Sequence, residues 1–202
     1  MRVSECVRCI QFPCADVKHE CYVVPDVDVR SQDVSIVMVS EAAPANPDDY
    51  YYAEGDSLFE QTTVQAFNDA GAGITSIQDI LGLGVYLTTA VKCGKTGYGI
   101  KAATIEECSR ILERELALFP SVKVFMLMGD VAIKAINTIA RRAGEGRVIP
   151  AGSTYKIRDQ AYFFRGARAI PSYLQAGPSF FIEKSKRRTI AQDIATALSL
   201  VK

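Results

Sequence analysis

Strand and helix patterns alternate along most of the chain, and this alternation constrains the fold more than any other feature. Short apolar runs rich in β-branched residues predict buried strands at 34–40, 85–91, 122–128 and 167–172. Apolar residues at helical spacing predict helices at 59–70, 104–119, 131–142 and 186–200. Strands that alternate with helices form a parallel sheet covered on both faces. We therefore predict an α/β fold, a three-layer α/β/α sandwich around a central, mostly parallel four-stranded sheet.

Two local patterns add detail to this plan. Thr104 and Glu107 have the spacing of a capping box, which predicts that a helix begins there. Residues 154–157 and 162–164 alternate about a short polar turn, which predicts a small hairpin.

The size of the chain sets its domain organisation. It has 202 residues, of which 49% are apolar, enough for one domain with a hydrophobic core and too few for two large domains. We predict a single domain over 1–202, with 1–30 as a cysteine-rich N-terminal segment. No apolar run approaches the roughly 20 residues of a membrane span, and the N-terminus has no apolar signal core. We expect a cytoplasmic monomer that makes no membrane contact.

Three loops that follow predicted strands are expected to form one site. Ligands of parallel α/β sheets bind outside the carboxyl ends of the strands. This rule brings together the loops at 40–59 and 89–99 and the segment after Pro171. The first loop is rich in proline, aspartate and tyrosine, and the second contains three glycines. Glycines allow a backbone to approach another group closely.

The cysteines indicate a metal rather than disulfides. Cytosolic thiols are kept reduced, and thiols at short spacings there more often bind metal. Cys6 and Cys9 form a C-x2-C pair, and Cys93 and Cys108 lie far downstream. Four thiolates split in this way can hold a tetrahedral metal ion or an iron–sulfur cluster. The two further cysteines are Cys14 and Cys21.

The charge of the chain is balanced overall but unevenly distributed. Residues 1–140 contain 11 Lys/Arg against 19 Asp/Glu, and residues 141–202 contain 12 against 4, so the two net charges are −8 and +8. The balance excludes a strongly basic, histone-like protein, but it leaves room for a basic face that neutralises phosphates. The candidate DNA-binding cations are Lys92, Lys95, Lys186 and Arg187.

Four segments carry short motifs in a characteristic order. Val-Ser-Glu-Ala-Ala-Pro at 39–44 and Leu-Thr-Thr-Ala-Val-Lys-Cys at 87–93 stand where the uracil-DNA glycosylase superfamily has Gly-Glu-Ala-Pro-Gly and Thr-Asn-Val-Val-Lys-Cys. Met-Gly-Asp-Val-Ala at 128–132 is similar to its Leu-Gly-x-x-Ala, and 170–176 falls where it has Pro-Thr-x-His-Pro-Ser/Ala. With the cysteines, the chain resembles in particular the family-four type, which holds a four-iron cluster.

This resemblance implies a DNA-repair protein that hydrolyses the N-glycosidic bond of a damaged or deaminated base flipped out of DNA. It implies that Glu41 orients the attacking water, that Phe59 stacks on the base, and that Thr89 contacts the edge of the base. It also implies a 4Fe-4S cluster. The ligands of that cluster would be Cys6, Cys9, Cys93 and Cys108.

Several of these assignments have alternatives. Asp48 and Asp49 compete with Glu41 for the water-orienting role, and the tyrosines at 50–52 compete with Phe59. Counted back from Glu41, the second cysteine of the family falls nearer Cys14. Cys9 and Cys14 are therefore the alternative N-terminal pair of ligands.

Two polar residues of the family's site are absent. The late histidine, thought to stabilise the departing base, is replaced by Leu174 or, in a shifted alignment, by Ile170, and neither donates a hydrogen bond. The asparagine that reads the base edge is replaced by Thr89. Threonine has a single hydroxyl, whereas the asparagine amide has a donor and an acceptor on separate atoms. His19, the only histidine, is not assumed to substitute. Activity as a hydrolase is therefore open, and the alternative is an inactive or altered-specificity relative that binds nucleic acid.

Overall fold

A computed structural model describes residues 1–97 and 99–202, so Tyr98 of the predicted glycine loop lies outside the described residues. The strands are β1 (Val17–Lys18), β2 (Ile36–Ala43), β3 (Val85–Lys95), β4 (Val124–Met128), β5 (Tyr162–Phe164) and β6 (Ala167–Ser172). The helices are α1 (Val3–Cys6), α2 (Leu58–Asp69), α3 (Ile77–Gly82), α4 (Ala102–Leu116), α5 (Asp130–Arg142), α6 (Thr154–Ile157), α7 (Ser179–Ile182) and α8 (Lys184–Ser199). Short 3-10 turns form at His19–Cys21 and Pro47–Asp49.

The strands form one sheet in the order β1-β3-β2-β4-β6-β5. The four inner strands β3, β2, β4 and β6 are parallel, and β1 and β5 pair antiparallel at the two edges. The predicted α/β class is confirmed, and the four predicted strands are the parallel ones. The described sheet has six strands rather than four: β5 is the strand predicted for a hairpin at 162–164, and β1 has only two residues and no apolar pattern.

Helices cover both faces of this sheet and bury two separate apolar clusters. Helices α4 and α5 pack on one face, against side chains such as Val37 and Leu127. Helices α2, α3 and α8 pack on the other face, against Met38 and Leu87 among others. Alternate residues of each inner strand therefore face opposite clusters, as the pleat requires. No helix in the described ranges is long and apolar enough to cross a membrane.

Two local predictions are wrong. The predicted hairpin strand at 162–164 is present as β5, but residues 154–157 form α6, and β5 pairs instead with β6 through a turn at Arg165 and Gly166. Helix α4 begins at Ala102, before the predicted capping box. Its first turn is capped from a distance, because the Asp16 carboxylate accepts the Lys101 N–H at 2.7 Å and the Thr104 hydroxyl.

An ion pair between Lys92 of β3 and Glu115 of α4 lies inside the fold, with neither side chain exposed. The Lys92 ammonium also donates to the Thr88 hydroxyl at 2.7 Å and to the Thr89 carbonyl at 2.6 Å. The Glu115 carboxylate accepts the Thr88 hydroxyl at 2.8 Å and the Tyr86 hydroxyl at 2.7 Å. A charge removed from water is tolerated only when it is paired and hydrogen-bonded in this way. The pair therefore fastens α4 to β3.

Removing one member of this pair is expected to destabilise the protein strongly. Glu115→Leu leaves the Lys92 ammonium buried without a counter-charge, and the free energy of unfolding should fall by about 3–5 kcal/mol. The double variant with Lys92→Met should recover part of this loss, which urea unfolding of the complete double-mutant cycle measures. Arg30→Ala, which breaks an ion pair at an 89% exposed side chain, should cost less than about 1 kcal/mol. Strictly additive losses at Lys92 and Glu115 would contradict the pairing.

Candidate functional site

Four polar side chains meet at the carboxyl ends of the parallel strands, on the face covered by α2 and α8. Ser40 of β2 and Thr89 of β3 are register partners, so their side chains lie on the same face. Tyr51, from the loop after β2, hydrogen-bonds the Ser40 hydroxyl, and the Gln175 amide donates to the Tyr51 hydroxyl at 2.9 Å. We call Ser40, Tyr51, Thr89 and Gln175 the polar cluster. The predicted meeting of the loops after β2 and β6 is thus present.

Glu41 lies at the same edge of the sheet but on the opposite face, because it follows Ser40 on the same strand. One oxygen of its carboxylate is 3.4 Å from the Lys95 ammonium, and the other is 3.5 Å from the N–H of Val131 in the first turn of α5. The side chain is 17% exposed. The side chain therefore lies between a cation and the N-terminus of a helix. Glu41 is therefore a partly buried carboxylate, held in place at the strand end.

Gly129 provides the space that Glu41 occupies. Its φ is +98°, in the left-handed region that favours glycine. A Cβ at this position would lie 2.7 Å from Oε1 of Glu41 and 2.8 Å from Cγ. The glycine of the 128–132 motif therefore has a direct physical connection to the glutamate of the 39–44 motif.

The residues that compete with Glu41 lie elsewhere in the loop after β2. Asp48 and Asp49 belong to the Pro47–Asp49 turn, which begins at Asn46, whose side chain accepts the Asp48 N–H at 3.3 Å. Asp48 is exposed and Asp49 is half-buried. Within the ranges that the structure describes, neither carboxylate hydrogen-bonds to Glu41 or to the polar cluster. The geometry therefore favours Glu41 over the two aspartates.

Phe59, Tyr50 and Tyr52 pack around Tyr51 of the polar cluster. Phe59, in the first turn of α2, is 9% exposed, and its ring centroid is 5.2 Å from that of Tyr51. Tyr50 and Tyr51 are almost completely buried, and burial raises the pKa of each hydroxyl above its usual value. Tyr52 bonds through its hydroxyl to the backbone of Leu87. Tyr50, Tyr51 and Phe59 are therefore buried side by side, and Tyr52 is half-buried beside them.

Thr89 and Gln175 are completely buried polar residues at this site. The Thr89 hydroxyl has no hydrogen-bond partner among the described residues. Sequence reasoning missed Gln175, because the segment after β6 has no periodic pattern. Leu174, which stands in the place of the family histidine in one alignment, is half-buried and packs against the apolar cluster of the α2 and α8 face.

Cys9, Cys14 and Cys108 line one pocket where the N-terminal segment meets α4, and Cys93 at the end of β3 lies near them. Burial raises the pKa of Cys93 to about 12, and the nearby thiols of Cys108, Cys9, Cys14 and Cys21 act in the same direction. Burial likewise raises the pKa of Cys108 to about 11. Burial also raises the pKa of Cys14, while hydrogen bonds with Thr104 and Cys108 lower it. The thiols that neighbour Cys93 and Cys108 from the N-terminal segment are thus Cys9 and Cys14, with Cys21 close behind.

Cys6 lies outside this group. It is exposed at the end of α1, and its thiol donates to the Arg2 carbonyl at 3.4 Å. Of the two N-terminal pairs considered from the sequence, the structure brings Cys9 and Cys14 toward Cys93 and Cys108. His19 is also present here, with Nδ1 at 3.5 Å from the Cys93 sulfur.

The donor chemistry of these four thiols fits an iron–sulfur cluster. Such clusters are held by four cysteine thiolates, which is the donor type that Cys9, Cys14, Cys93 and Cys108 supply. In the described parts of the chain, no three His, Cys, Asp or Glu side chains surround a point where a single metal ion could bind. A four-iron cluster is several atoms across, so its ligands do not converge on one point.

The predicted DNA-binding cations have different surroundings. Lys92 is buried in its pair with Glu115 and cannot reach a phosphate, so its predicted DNA contact does not fit the structure. Lys95 pairs with Glu41 at the strand edge. Arg187 is held by Asp69 through two hydrogen bonds. Lys186 pairs with Glu183 at 2.6 Å and lies 5.5 Å above the ring of Tyr173, the first residue after β6.

The fold and these motifs define a family. The model of the uracil DNA glycosylase superfamily matches residues 28–193, so the chain belongs to this superfamily. A 53-residue segment is 38% identical to the type-5 uracil-DNA glycosylase of Thermus thermophilus. That segment covers 26% of this chain, and the chain spans only 24% of the length of this curated relative. The predicted superfamily is confirmed.

Replacing Gly129 is expected to displace Glu41 and destabilise the protein. Gly129→Ala should lower the free energy of unfolding by about 2–5 kcal/mol, because backbone strain and overpacking against the carboxylate add. Gly144→Ala is the matched control, since Gly144 has a φ of +81° and no atom within 4 Å of an added Cβ. Urea unfolding should show the larger loss at position 129. Equal losses would mean that Glu41 does not rest on Gly129.

Proposed function

We propose that the protein removes a damaged or deaminated base from DNA by hydrolysing its N-glycosidic bond. The observation that carries this proposal is the placement of Glu41 and the polar cluster at one sheet edge, on opposite faces. Hydrolysis needs a water molecule on one side of the sugar C1′ and the departing base on the other. A nucleotide flipped onto this edge would have the carboxylate on one side of C1′ and the polar cluster on the other.

Glu41 would orient the attacking water. The carboxylate is an acceptor whose position is set by Lys95, by the first turn of α5 and by Gly129. A water that donates a hydrogen bond to this carboxylate turns its oxygen lone pair toward C1′. The C1′–N bond breaks and its electron pair leaves with the base, while the carboxylate stabilises the positive charge that develops on the sugar. As the water oxygen bonds to C1′, one water proton passes to the carboxylate, and the released base anion takes up a proton from solvent.

Phe59 and the polar cluster would bind the extruded base. Phe59 offers a ring face at the rim of the cluster, and stacking on an aromatic side chain is worth about 1–3 kcal/mol per base. Thr89 and Gln175 offer buried polar atoms in the same cluster. A flat heterocycle that enters here would be held by its face and by its edge.

A surface next to this edge would hold the DNA. Lys184 and Arg188, in the first turns of α8, are exposed cations without an ion pair among the described residues. Together with Lys186 they can neutralise phosphates without reading sequence. Phe181 and Ile182, immediately before them, are exposed by 47% and 76%. Proteins that unstack DNA insert apolar side chains of this kind between bases.

A 4Fe-4S cluster would be held by Cys9, Cys14, Cys93 and Cys108. Its contribution would be structural, a cross-link between the N-terminal segment, the end of β3 and α4. The side chains of this chain already support that link, because Asp16 caps α4 and Lys92 pairs with Glu115 close to the two downstream cysteines. The predicted participation of Cys6 is the alternative.

A glycosylase assay tests the reaction and the role of Glu41. The wild-type protein should convert a uracil-containing duplex into an abasic product, and Glu41→Gln should lower the rate about 10²-fold or more. Asp48→Asn and Asp49→Asn are the matched controls and should change the rate less than about threefold. Full activity of Glu41→Gln would remove the proposed role.

The outcome for the wild-type protein also separates the two functions considered. Duplexes that carry uracil, hypoxanthine or an oxidised base should be tested alongside undamaged DNA. Release of none of these bases, together with salt-dependent DNA binding, would replace the enzymatic proposal by the nucleic-acid-binding one.

Absorbance of anaerobically purified protein tests the cluster and its ligands. The wild type should be brown, and Cys14→Ser should lose most of the visible absorbance because a ligand is removed. Cys6→Ser and Cys21→Ser are the controls and should keep it. Retention in Cys14→Ser with loss in Cys6→Ser would restore the Cys6 and Cys9 pair, and a colourless, folded, iron-free wild type would refute the cluster.

A further inference from the structure

The carboxamide of Gln175 is buried against the ends of two strands, an unusual position for so polar a group. The side chain is completely buried. Its nitrogen is 2.9 Å from the Tyr51 hydroxyl, 3.3 Å from the Ser40 hydroxyl and 3.3 Å from the Met38 sulfur. Gln175 lies only three residues beyond β6, so the chain turns back over the sheet edge to place it there.

The hydrogen bonds of this group leave the amide oxygen largely unused. Both N–H groups of Gln175 have acceptors, but its oxygen has one contact in the described structure, the Ser40 hydroxyl at 3.5 Å. Ser40 has a single proton, and it is also hydrogen-bonded to Tyr51. A carboxamide oxygen can accept two hydrogen bonds, and a buried acceptor without them costs free energy. The oxygen is therefore available to a donor from outside the chain.

A second unused group belongs to the same cluster. The Thr89 hydroxyl is buried and has no partner among the described residues, and Thr89 is the register partner of Ser40. Its backbone is held firmly, since the Thr89 carbonyl accepts from Lys92 at 2.6 Å. One unused acceptor and one unused hydroxyl thus belong to adjacent parts of one buried cluster.

We propose that Gln175 is the base-reading amide of this protein. The Gln175 oxygen accepts a ring N–H of the flipped base, and the Thr89 hydroxyl donates to the neighbouring carbonyl of that base. The class of base recognised is one with a ring N–H beside a carbonyl, the edge that deamination creates in uracil and hypoxanthine. Cytosine presents a ring nitrogen lone pair where the N–H would be, and the amide oxygen repels it. This inference rests on the proposed base-flipping function.

The route to the two groups passes Phe59. Its ring is 9% exposed and packs against Tyr51, with centroids 5.2 Å apart. A Cβ built on Gly177 would meet Cε1 of that ring at 4.0 Å, so glycine at 177 leaves this edge of the ring without a side-chain neighbour from that position. A base would reach the cluster by displacing the Phe59 ring.

Binding of uncleavable duplexes tests this assignment. Fluorescence anisotropy compares duplexes with one 2′-fluoroarabino-uridine, one 2′-fluoroarabino-cytidine or one tetrahydrofuran abasic analogue at the same position. The wild type should bind the uracil duplex at least about tenfold more tightly than the cytosine duplex, the discrimination of a good two-point contact. Gln175→Leu should bring this ratio close to one and leave the affinity for the abasic duplex within about twofold.

Thr89→Val and Gln78→Leu complete the design. Thr89→Val removes a buried hydroxyl that has no partner among the described residues, so it should fold at least as well as the wild type and still lose most of the uracil preference. Gln78 is exposed on α3, and Gln78→Leu should keep the preference. If Gln175 were only structural, its variant would lose affinity for all three duplexes in parallel with a lower melting temperature.

The outcomes separate this inference from the proposed reaction. A wild-type uracil preference that survives in Gln175→Leu and Thr89→Val overturns the inference, as does a wild type that does not distinguish uracil from cytosine. A wild type that releases no base, yet loses a clear uracil preference in both variants, sustains the inference and rejects only the hydrolytic activity.

Discussion

The buried pair of Lys92 and Glu115 is the interaction on which the rest of the structure depends. It joins the end of the longest described strand to the last turns of α4, the two elements that carry Cys93 and Cys108. The same ammonium holds the carbonyl of Thr89, so it also fixes the strand end in the polar cluster. Since an unpaired charge here would be very unfavourable, the strand and the helix are held together at this point. The ion pair thus connects the elements that carry Cys93 and Cys108 to the strand end that carries Thr89.

Ion pairs inside the fold also change the interpretation of the net charges of −8 in 1–140 and +8 in 141–202. Several cations of 141–202 pair with acidic residues from earlier in the chain, such as Arg142 and Arg165 with Glu113 and Arg187 with Asp69. Part of the positive charge of 141–202 is therefore neutralised by ion pairs with acidic residues of 1–140. Among the cations that remain for DNA, Lys184 and Arg188 lie beside the exposed Phe181 and Ile182. A small basic patch at one edge would place DNA more specifically than a uniformly basic face.

The periodicity of apolar residues predicted the strands, which depend on local sequence. It could not predict the side-chain environments that depend on residues distant in the sequence. The four parallel strands are buried on both faces, so their apolar runs were visible in the sequence, and Glu41 follows one such run. Lys92 is chemically the same residue as an exposed lysine, and only Glu115, 23 positions away, decides its burial. The cap of α4 comes from Asp16, 85 positions before Lys101, which no capping-box rule can detect. Gln175 was missed for the same reason, since its partners are on β2 and in the loop after it.

The lost histidine and the proposed base class are linked by the energetics of the departing base. Removing one donor that stabilises a developing anion typically slows a reaction by about 10²–10³-fold. With Leu174 or Ile170 at that position, the base itself must accommodate the negative charge. Uracil and hypoxanthine can delocalise that charge onto the carbonyl oxygen that deamination creates, and the Thr89 hydroxyl can donate to this oxygen as the charge grows. Cytosine and adenine have an amino group in place of that oxygen and are poorer leaving groups. A site without the histidine would therefore retain more activity on uracil and hypoxanthine than on cytosine and adenine, the distinction that Gln175 and Thr89 are suited to make.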